Sequence, residues 1–342
     1  MSRPPRGFPH LLALSLALLP AAARSQVAGP NDAHSDAWAD ADLGATSPVS
    51  AGVVVTAEAR PTDLSSLPVA ATVIDRAEIE RSRATSVLDL LRTVPGVDLV
   101  QSGGPEGVTS LFLRGTNSNQ ALVLVDGVKL NSPYFGGIDL GTLAAAGIDR
   151  IEIVRGPYSA LYGSEAIGGV VQIFTRHAAT GAPVGVGGRF AAGNAGTKDG
   201  NVFVSMSQGP VGFSGGFRRL LTWGDLPNQF FAATNLSGAL DLQISPDVKL
   251  GFVARRDTSR SGIPFSGEVL TPQRTTTLDS TTFAVPLTLT FSPEATLEVQ
   301  GSFGKDLPTY SDPDDPWGYT ESRADARRTA GRAVFSLSLI HI

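Results

Sequence analysis

Ser214 lies in a motif that could support nucleophilic catalysis. The run Gly212-Phe213-Ser214-Gly215-Gly216 matches the Gly-x-Ser-x-Gly pattern, in which a sharp strand-to-helix turn presents a serine to a histidine base. Here the serine stands in the middle of a run of alternating apolar and small residues, which is typical of a continuous strand. No other acid–base or nucleophile constellation is visible in the chain, so the sequence predicts a protein that is not an enzyme.

Metal and phosphate chemistry finds equally little support. The chain has no cysteine and four scattered histidines, which excludes disulfides and the ligand spacing of zinc or iron–sulfur sites. The glycines at 103–107 and 193–196 lack the spacing of a phosphate-binding loop. A group of aspartates could hold calcium, although a solvated acidic loop is the favoured interpretation: Asp306, Asp312, Asp314 and Asp315. We therefore expect no cofactor and no resident metal, with calcium in external loops as a weak alternative.

Composition and charge narrow the class of protein further. The 342 residues are 42% apolar and 17% charged, with a net charge of −5 and an isoelectric point near 5.4. A nucleic-acid binder would carry a basic face, so nucleic acid is not an expected partner. No stretch reaches the roughly 18 apolar residues that a membrane-spanning helix needs. The length suggests about two domains.

The N-terminus has the pattern of an export signal. Two arginines precede the apolar run Leu11–Leu19, and Pro20 and three alanines follow that run. A basic start, a short apolar core and small residues at its exit are typical of a secretory signal peptide. We predict that residues 1–25 form this peptide and that cleavage falls between Ala23 and Gln26.

An acidic segment without Lys or Arg follows at residues 26–52. It cannot bury enough apolar surface to offset its ordering entropy, so it is predicted to be a disordered, exposed tether. The next run, Val53-Val54-Val55-Thr56-Ala57, is β-prone. It could add to the sheet edge of a partner, or it could be the first strand of the next domain.

Residues 60–178 carry the mixed signals of a small α+β domain. One helix is predicted to begin at Asp75, where Glu78 completes a capping box. A second is predicted from about Ser86 to Thr93, ended by Pro95-Gly96. The predicted strands cover residues 68–74, 110–114, 121–125, 150–154 and 169–174. Long glycine-rich loops join these elements, and long loops in compact domains are usually functional.

Residues 183–342 alternate apolar and polar side chains with a period of two, the pattern of strands with one apolar face. The eight predicted strands cover residues 184–190, 202–206, 211–217, 236–244, 248–252, 283–291, 297–303 and 335–339. Tight turns are predicted at 209–210, 245–247 and 292–294. They alternate with long connections at 193–200, 222–235, 257–279 and 304–325. This order is typical of an outer-membrane barrel with short periplasmic turns, and a soluble sandwich has no reason to keep it.

The strand count conflicts with a complete barrel. Eight strands enclose an interior that their own side chains fill, so a preceding domain would have no place inside. The chain also stops directly after a predicted strand, without a closing turn. We therefore expect a truncated chain that lacks further barrel strands.

Three segments together resemble the plug of TonB-dependent outer-membrane receptors. They are Leu111–Gln120 continuing into Leu122–Val128, then Ile151–Pro157, then Ser159–Val170. The Arg114–Asn117 run is most similar to the cobalamin-transporter branch of that family. The resemblance covers roughly residues 50–180, and it implies a plug domain inside a transmembrane antiparallel barrel of 22 strands, about eight of them present here.

The resemblance also implies roles for individual residues. It implies a TonB box at Val53, Val54, Val55, Thr56 and Ala57, although the acidic residue often found at its start is absent. It implies two apical ligand-binding loops, for which ordinary turn roles are an equal alternative: Gln101, Ser102, Gly103 and Gly104, and Asn131, Ser132, Pro133, Tyr134, Phe135 and Gly136. Structural or gating roles within the plug fall on Arg114, Gly115, Asp126, Gly127, Arg155, Gly156, Tyr162, Gly163, Glu165, Gly168 and Gly169.

The function that follows from the resemblance is TonB-dependent import of a large scarce ligand across the outer membrane. The expected partners are TonB, the ligand and outer-membrane lipid, and the favoured ligand is cobalamin or another corrinoid. Ferric siderophore or haem uptake is the alternative within the family, although haem would favour loop histidines and the mature loops offer only His177. A passive pore, or a phage or bacteriocin docking surface, is the alternative of a different class.

Overall fold

The computed structural model describes residues 54–55, 62–63, 70–101, 109–134, 136–138, 140–178, 181, 183–315, 318 and 320–337. The predicted signal peptide (1–25) and tether (26–52) lie outside these residues and stay predictions. Two short strands, β1 (Val54–Val55) and β2 (Thr62–Asp63), pair antiparallel with each other.

A five-stranded mixed sheet is the centre of the plug domain. Its strands are β3 (Ala70–Ile74), β6 (Ala121–Val125), β7 (Val128–Lys129), β8 (Ile148–Arg155) and β9 (Gly169–Thr175). They lie in the order β3-β8-β9-β6-β7, and only β6 and β9 run parallel. A separate hairpin joins β4 (Val97–Gln101) to β5 (Thr109–Leu113). The predicted strands of this domain are present, whereas β4 and β7 were not predicted.

The first predicted helix begins at its predicted cap, Asp75, and the second begins next to its predicted start at Ser86. Helix α1 (Arg76–Ser82) starts after Asp75, whose side chain accepts a 2.8 Å hydrogen bond from the Glu78 amide. Helix α2 (Val87–Leu91) starts after Ser86 in a reciprocal capping box with Asp89. It ends two residues earlier than predicted because the Thr93 amide bonds the Leu90 carbonyl, which tightens the last turn. A third helix, α3 (Ser159–Tyr162), is one turn long.

Two apolar clusters enclose this sheet. One contains the apolar residues of α1 and α2 together with Ile151 and Ile153 of β8. The other lies on the opposite face, where Leu122 and Val154 meet Tyr158. Strand β6 is therefore buried on both faces, with every side chain 3% exposed or less. Among the described residues, no helix is both long and apolar enough to cross a membrane.

The barrel sheet follows as a set of long antiparallel strands. They are β10 (Gly185–Ala192), β11 (Lys198–Gln208), β12 (Val211–Thr222), β13 (Phe231–Ser245), β14 (Val248–Gly262), β17 (Thr275–Ser292), β18 (Ala295–Ser311), β19 (Glu321–Arg323) and β20 (Ala326–Leu337). Sequential strands are neighbours, and β19 and β20 both pair with β18. The eight predicted strands are thus present, and the short β19 is an addition. A small hairpin of β15 (Phe265–Ser266) and β16 (Val269–Leu270) lies between β14 and β17.

The predicted alternation of turns and loops holds, but the loops are shorter than predicted. Two-residue turns join β11 to β12, β13 to β14 and β17 to β18. At the other end the connections cover residues 193–197, 223–230, 263–274 and 312–320. The predicted bounds were too wide because polar residues continue the hydrogen-bonded ladder beyond the apolar band, as between β17 and β18 up to Thr275 and Ser311. We call the two ends of the sheet the short-turn end and the long-loop end.

Alternation gives the barrel sheet two chemically different faces. The outward side chains are apolar and exposed, and include Val186, Phe190, Val202, Phe217, Leu236, Phe283, Val285 and Phe335. The opposite face is turned to the plug and contains buried polar groups: Asp199, Asn201, Arg218, Asn235, Asp241, Thr282 and Asp306. Ser214 lies on this inner face within β12, not at a strand-to-helix turn.

Candidate ligand site and plug–barrel contacts

The predicted apical loop that begins at Asn131 is a closed turn held by its own first residue. The Asn131 side chain is buried, accepts from the Val123 amide at 2.8 Å and donates to the carbonyls of Ala121 at 3.0 Å and Gly136 at 3.2 Å. The Ser132 carbonyl accepts from the Gly136 amide at 2.9 Å. Asn131 and the buried Ser132 therefore shape the loop, and its exposed residues Pro133 and Tyr134 are available to a ligand.

Tyr134 faces a cavity of about 370 Å³ between the plug and the long-loop end of the barrel sheet. Its lining combines aromatic rings with hydroxyl groups: Tyr134, Phe231, Ser259, Ser261, Thr276, Thr277, Leu278, Pro308, Thr309, Tyr310, Ser322 and Ala324. None of these lining residues is ionisable as an acid or base near neutral pH. The cavity suits a flat, uncharged surface with hydrogen-bonding edges, since aromatic faces and hydroxyls recognise such surfaces without charge.

An ion pair lies beside the cavity residue Tyr310. Arg274 lies 5.8 Å from the Tyr310 ring centre, and its Nε donates to Asp312 at 2.7 Å. Asp312 is buried, and Asp306 accepts from the Ser280 hydroxyl at 2.7 Å. Asp314 accepts from the Gln273 side chain at 3.2 Å, so protein donors engage at least three of the four predicted calcium-loop aspartates. Among the described residues, no three acidic, histidine or cysteine side chains are grouped to hold a metal ion.

The second predicted apical loop is only partly described. Gln101 ends β4, and its side-chain oxygen accepts a 2.8 Å hydrogen bond from Arg92. Ser102, Gly103 and Gly104 lie outside the described residues, as does Phe135 of the first loop. A ligand role for these four residues stays a prediction.

The predicted TonB box is described at two of its five residues. The backbone of Val54–Val55 is extended and pairs with Thr62–Asp63. This pair is separate from the five-stranded sheet of the plug. Val53, Thr56 and Ala57 lie outside the described residues.

Most of the residues expected to have structural roles lie in turns or at element ends of the plug. Asp126 and Gly127 both have positive φ and form the turn between β6 and β7. A Cβ on Gly169 would lie 2.4 Å from the Val154 carbonyl oxygen, so the strands could not keep their spacing around a larger residue. The others lie at element ends or in turns: Arg114 and Gly115 after β5, Gly156 after β8, Gly163 after α3, and Gly168 before β9.

Charged members of this set bond within the plug. Arg155 is buried and donates through Nε to the Pro95 carbonyl at 3.1 Å and through Nη2 to the Thr72 hydroxyl. Glu165 accepts from Lys129 at 2.8 Å. Tyr162 is also close to the barrel sheet, because the guanidinium of Arg332 on β20 lies 5.4 Å from its ring centre.

Sequence reasoning missed a polar bridge near the short-turn end. His177 follows β9, and its Nδ1 lies 2.7 Å from Asp241 of β13, while its Nε2 lies 3.8 Å from Asp126. Asp126 and then Asp241 stabilise the protonated ring and raise the pKa of His177 to about 10. Lys249 of β14 lies 3.0 Å from Asp241 on its other side. The bridge therefore joins plug and barrel sheet through charged side chains.

Sequence reasoning also missed three arginines of the barrel sheet that bond plug backbone. Arg189 of β10 donates to the carbonyls of Arg83 and Ala84. Arg218 of β12 is 1% exposed, forms a two-point ion pair with Asp199 at 3.0 and 2.8 Å, and donates to the Gly141 carbonyl at 2.6 Å. Arg328 of β20 donates to the carbonyls of Lys129 and Asn131. Their signal in the sequence is a charged residue at an inward position of an alternating strand.

Comparison with known proteins supports the plug assignment. Residues 63–170 match the family model described as the TonB-dependent receptor plug domain. The vitamin B12 transporter BtuB of Vibrio vulnificus (strain YJ016) is 50% identical over 123 residues, which are 36% of this chain and 20% of that protein.

Solved structures show the same fold at low sequence identity. The copper transporter OprC superposes with a TM-score of 0.66 at 16% identity, over 80% of this chain and 44% of that one. The siderophore receptor PiuA from Acinetobacter baumannii gives a TM-score of 0.62 at 16% identity, over 81% and 43%. The chain thus spans less than half the length of these proteins. Residues 63–170 are therefore similar to the plug domain of TonB-dependent receptors, and the fold that includes the antiparallel sheet after them resembles these solved structures.

Proposed function

We propose that the full-length receptor carrying this chain imports cobalamin or another corrinoid across the outer membrane, driven by TonB. The observation that carries the ligand class is the cavity at Tyr134, which offers aromatic and hydroxyl groups and no ionisable lining near neutral pH. A corrinoid presents a flat macrocycle with neutral amide edges, which such a lining complements. The 50% identity of the plug region to a vitamin B12 transporter supports the same choice.

The mechanism is mechanical in this proposal. The ligand binds the cavity at the long-loop end, and the β-prone run Val53–Ala57 pairs with a strand of TonB by edge addition. A pull on that run displaces part of the plug and opens a path along the barrel wall. TonB and the ligand are the partners, and outer-membrane lipid surrounds the exposed apolar face. We also propose export through a signal peptide at residues 1–25, a disordered tether at 26–52, and transport without catalysis by the chain itself.

A ferric siderophore is the second candidate, since PiuA, a siderophore receptor, shares the fold. An anionic ferric catecholate would be matched by cationic side chains, whereas Arg274, which lies beside the lining residue Tyr310, is already paired with Asp312. A passive pore or a docking surface without TonB coupling is the candidate of a different class.

Deletion of residues 53–57 in the full-length receptor tests the coupling. Accumulation of labelled cyanocobalamin should fall to the level of cells without the receptor, while binding to isolated outer membranes should stay unchanged. Deletion of residues 40–44, an equal length of the predicted tether, is the matched control and should leave accumulation intact. Full accumulation after deletion of 53–57 would contradict active transport and favour the passive pore.

Truncation of Tyr134 tests the ligand class. Tyr134→Ala should weaken cyanocobalamin binding by roughly tenfold, the loss expected when an aromatic anchor is removed. Trp223→Ala removes an exposed aromatic side chain that does not line the cavity and should leave the affinity unchanged. Absence of saturable cyanocobalamin binding to the parent receptor, with binding of a ferric siderophore, would replace the corrinoid by the siderophore.

A further inference from the structure

Arg328 connects the wall of the barrel to the base of the apical loop. Its Nη1 donates to the Asn131 carbonyl at 2.6 Å, and its Nη2 donates to the Lys129 carbonyl. Both acceptors are backbone atoms directly before the exposed tip at Pro133 and Tyr134. A guanidinium presents its donors in a rigid fork, so one side chain fixes two carbonyls at once.

The contact continues through Asn131 into the loop itself. The backbone of Asn131 is held by Arg328, while its buried amide holds Ala121, Val123 and Gly136. The loop is thus fixed at both ends, by its first residue and at Gly136, and Tyr134 lies between them. The position of Tyr134 in the cavity therefore depends on β20 as well as on the plug.

A neighbouring contact fixes the other end of the same hairpin. Gln300 of β18 donates through Nε2 to the Asp126 carbonyl at 2.9 Å. Gln300 and Arg328 thus hold the backbone at 126–131 from two adjacent strands, which pair directly. Both side chains of the barrel sheet donate hydrogen bonds to backbone carbonyls of the hairpin. These contacts therefore do not depend on which plug side chains occupy those positions.

We propose that Arg328 is a positioning residue for the ligand: the barrel wall, through this arginine, fixes the apical loop at 131–136 and so places Tyr134. The consequence for affinity rests on the proposed function, whereas the consequence for loop order does not. Loss of Arg328 should free the loop and weaken ligand binding by roughly tenfold, as expected when hydrogen bonds from a charged donor are removed.

A spin label at the loop tip gives the direct measurement. The chain contains no cysteine, so Pro133→Cys in the full-length receptor provides one labelling position within it. Ser159→Cys on α3, which is also exposed, gives a reference label away from the loop. Arg328→Gln should sharpen the spectrum of the label at 133, leave the reference label unchanged, and weaken cyanocobalamin binding with little change in maximal transport rate.

The neighbouring Arg327 is the matched control. It is exposed and pairs with Asp325 at 2.8–2.9 Å, so Arg327→Gln should change neither label nor affinity. Arg328→Lys is the alternative variant if the glutamine variant inserts poorly into the membrane. It should also increase the mobility of the label at position 133, because a single ammonium group cannot bond both carbonyls as the guanidinium does.

An unchanged spectrum at position 133 in both Arg328 variants would overturn the inference. So would equal loosening at 133 and 159, because that result means general destabilisation of the plug. If the loop loosens as expected but the parent receptor binds no cyanocobalamin, the positioning role stands and the proposed ligand fails.

Discussion

The plug domain and the barrel sheet use the same apolar residue types on opposite sides of their structures. In the plug, Leu122 and Val123 of β6 are 0% exposed and lie between helices and neighbouring strands. In the barrel sheet, Phe190 and Val186 of β10 are 73% and 72% exposed. The plug buries its apolar side chains internally, whereas the barrel sheet leaves its apolar side chains exposed on the outward face.

This difference makes the surface between the two regions polar. Arg218, Arg328 and Gln300 reach plug carbonyls, and His177 reaches Asp241. When such a surface separates, hydrogen bonds within the protein are replaced by hydrogen bonds to water. The free-energy cost is smaller than that of exposing an apolar core, which is about 25 cal/mol per Å². In the proposed transport mechanism, in which part of the plug is displaced, an interface of this kind lowers the free-energy cost of that displacement.

The largest effect is expected from Arg218→Ala, because it leaves Asp199 as an unpaired buried charge. Breaking one partner of a buried ion pair costs about 3–5 kcal/mol. Urea unfolding of the full-length receptor in detergent should show this loss, and the double variant Arg218→Met with Asp199→Leu should recover most of it. Arg219→Ala, at the adjacent exposed position, is the control. A loss below 1 kcal/mol for Arg218→Ala would mean that water already screens the pair.

Leu122→Ala tests the self-contained core of the plug. Removal of a fully buried leucine costs about 2–5 kcal/mol through lost burial and the resulting cavity. Hydrogen exchange of the β6 and β9 amides should accelerate accordingly, while the barrel strands keep their protection. Leu161→Ala, at a plug position that is 54% exposed, should have little effect. Uniform acceleration in plug and barrel would show that the two regions unfold as one unit.

Phe283→Lys tests whether the exposed apolar face is the lipid face. A lysine at mid-membrane on that face costs about 2–4 kcal/mol, and the cost falls towards zero near the interfaces. Phe283 lies in the middle of β17, and Phe291 lies on the same face one residue before that strand ends at the short-turn end. Folding yield into lipid vesicles should drop for Phe283→Lys and remain near the parent value for Phe291→Lys. Equal yields would contradict a depth-dependent lipid environment.

The sequence could predict the features that depend on residues close to each other in the chain. The period of two in β17 and β18 follows from a sheet with one apolar and one polar face, and the cap at Asp75 follows from the orphan amides at a helix start. The strand ends were misplaced because polar residues such as Thr276 and Tyr310 continue the ladder where hydropathy no longer marks it.

The contacts between plug and barrel could not be predicted in this way. Arg328 bonds a carbonyl 197 residues earlier, and His177 bonds a carboxylate 64 residues later. Neither sequence separation follows from local chemistry. Because every residue has a backbone carbonyl, the residue types do not show which carbonyl accepts the bond. Only the topology brings these groups together, so an inward arginine can be noticed in the sequence while its partner cannot.

The smallest effect is expected at the charged bridge of His177, which is partly exposed. Because its pKa is raised above the unfolded value of about 6.5 to about 10, its contribution is fully present below pH 6.5 and is lost as the pH rises through about 10. Hydrogen exchange at 175–178 should therefore be slow at pH 6, after correction for intrinsic rates, and faster at pH 10.5. Burial opposes ionisation of Asp126, but His177 and the hydrogen bonds from Thr175 outweigh it and lower the pKa of Asp126, so this carboxylate stays charged throughout.

His177→Gln should remove the transition, and Lys249→Gln, which leaves both carboxylates facing the ring, should retain it. Protection that is equal at the two pH values in the parent receptor would show that the hydrogen bonds of Thr175, not the charged ring, hold this segment.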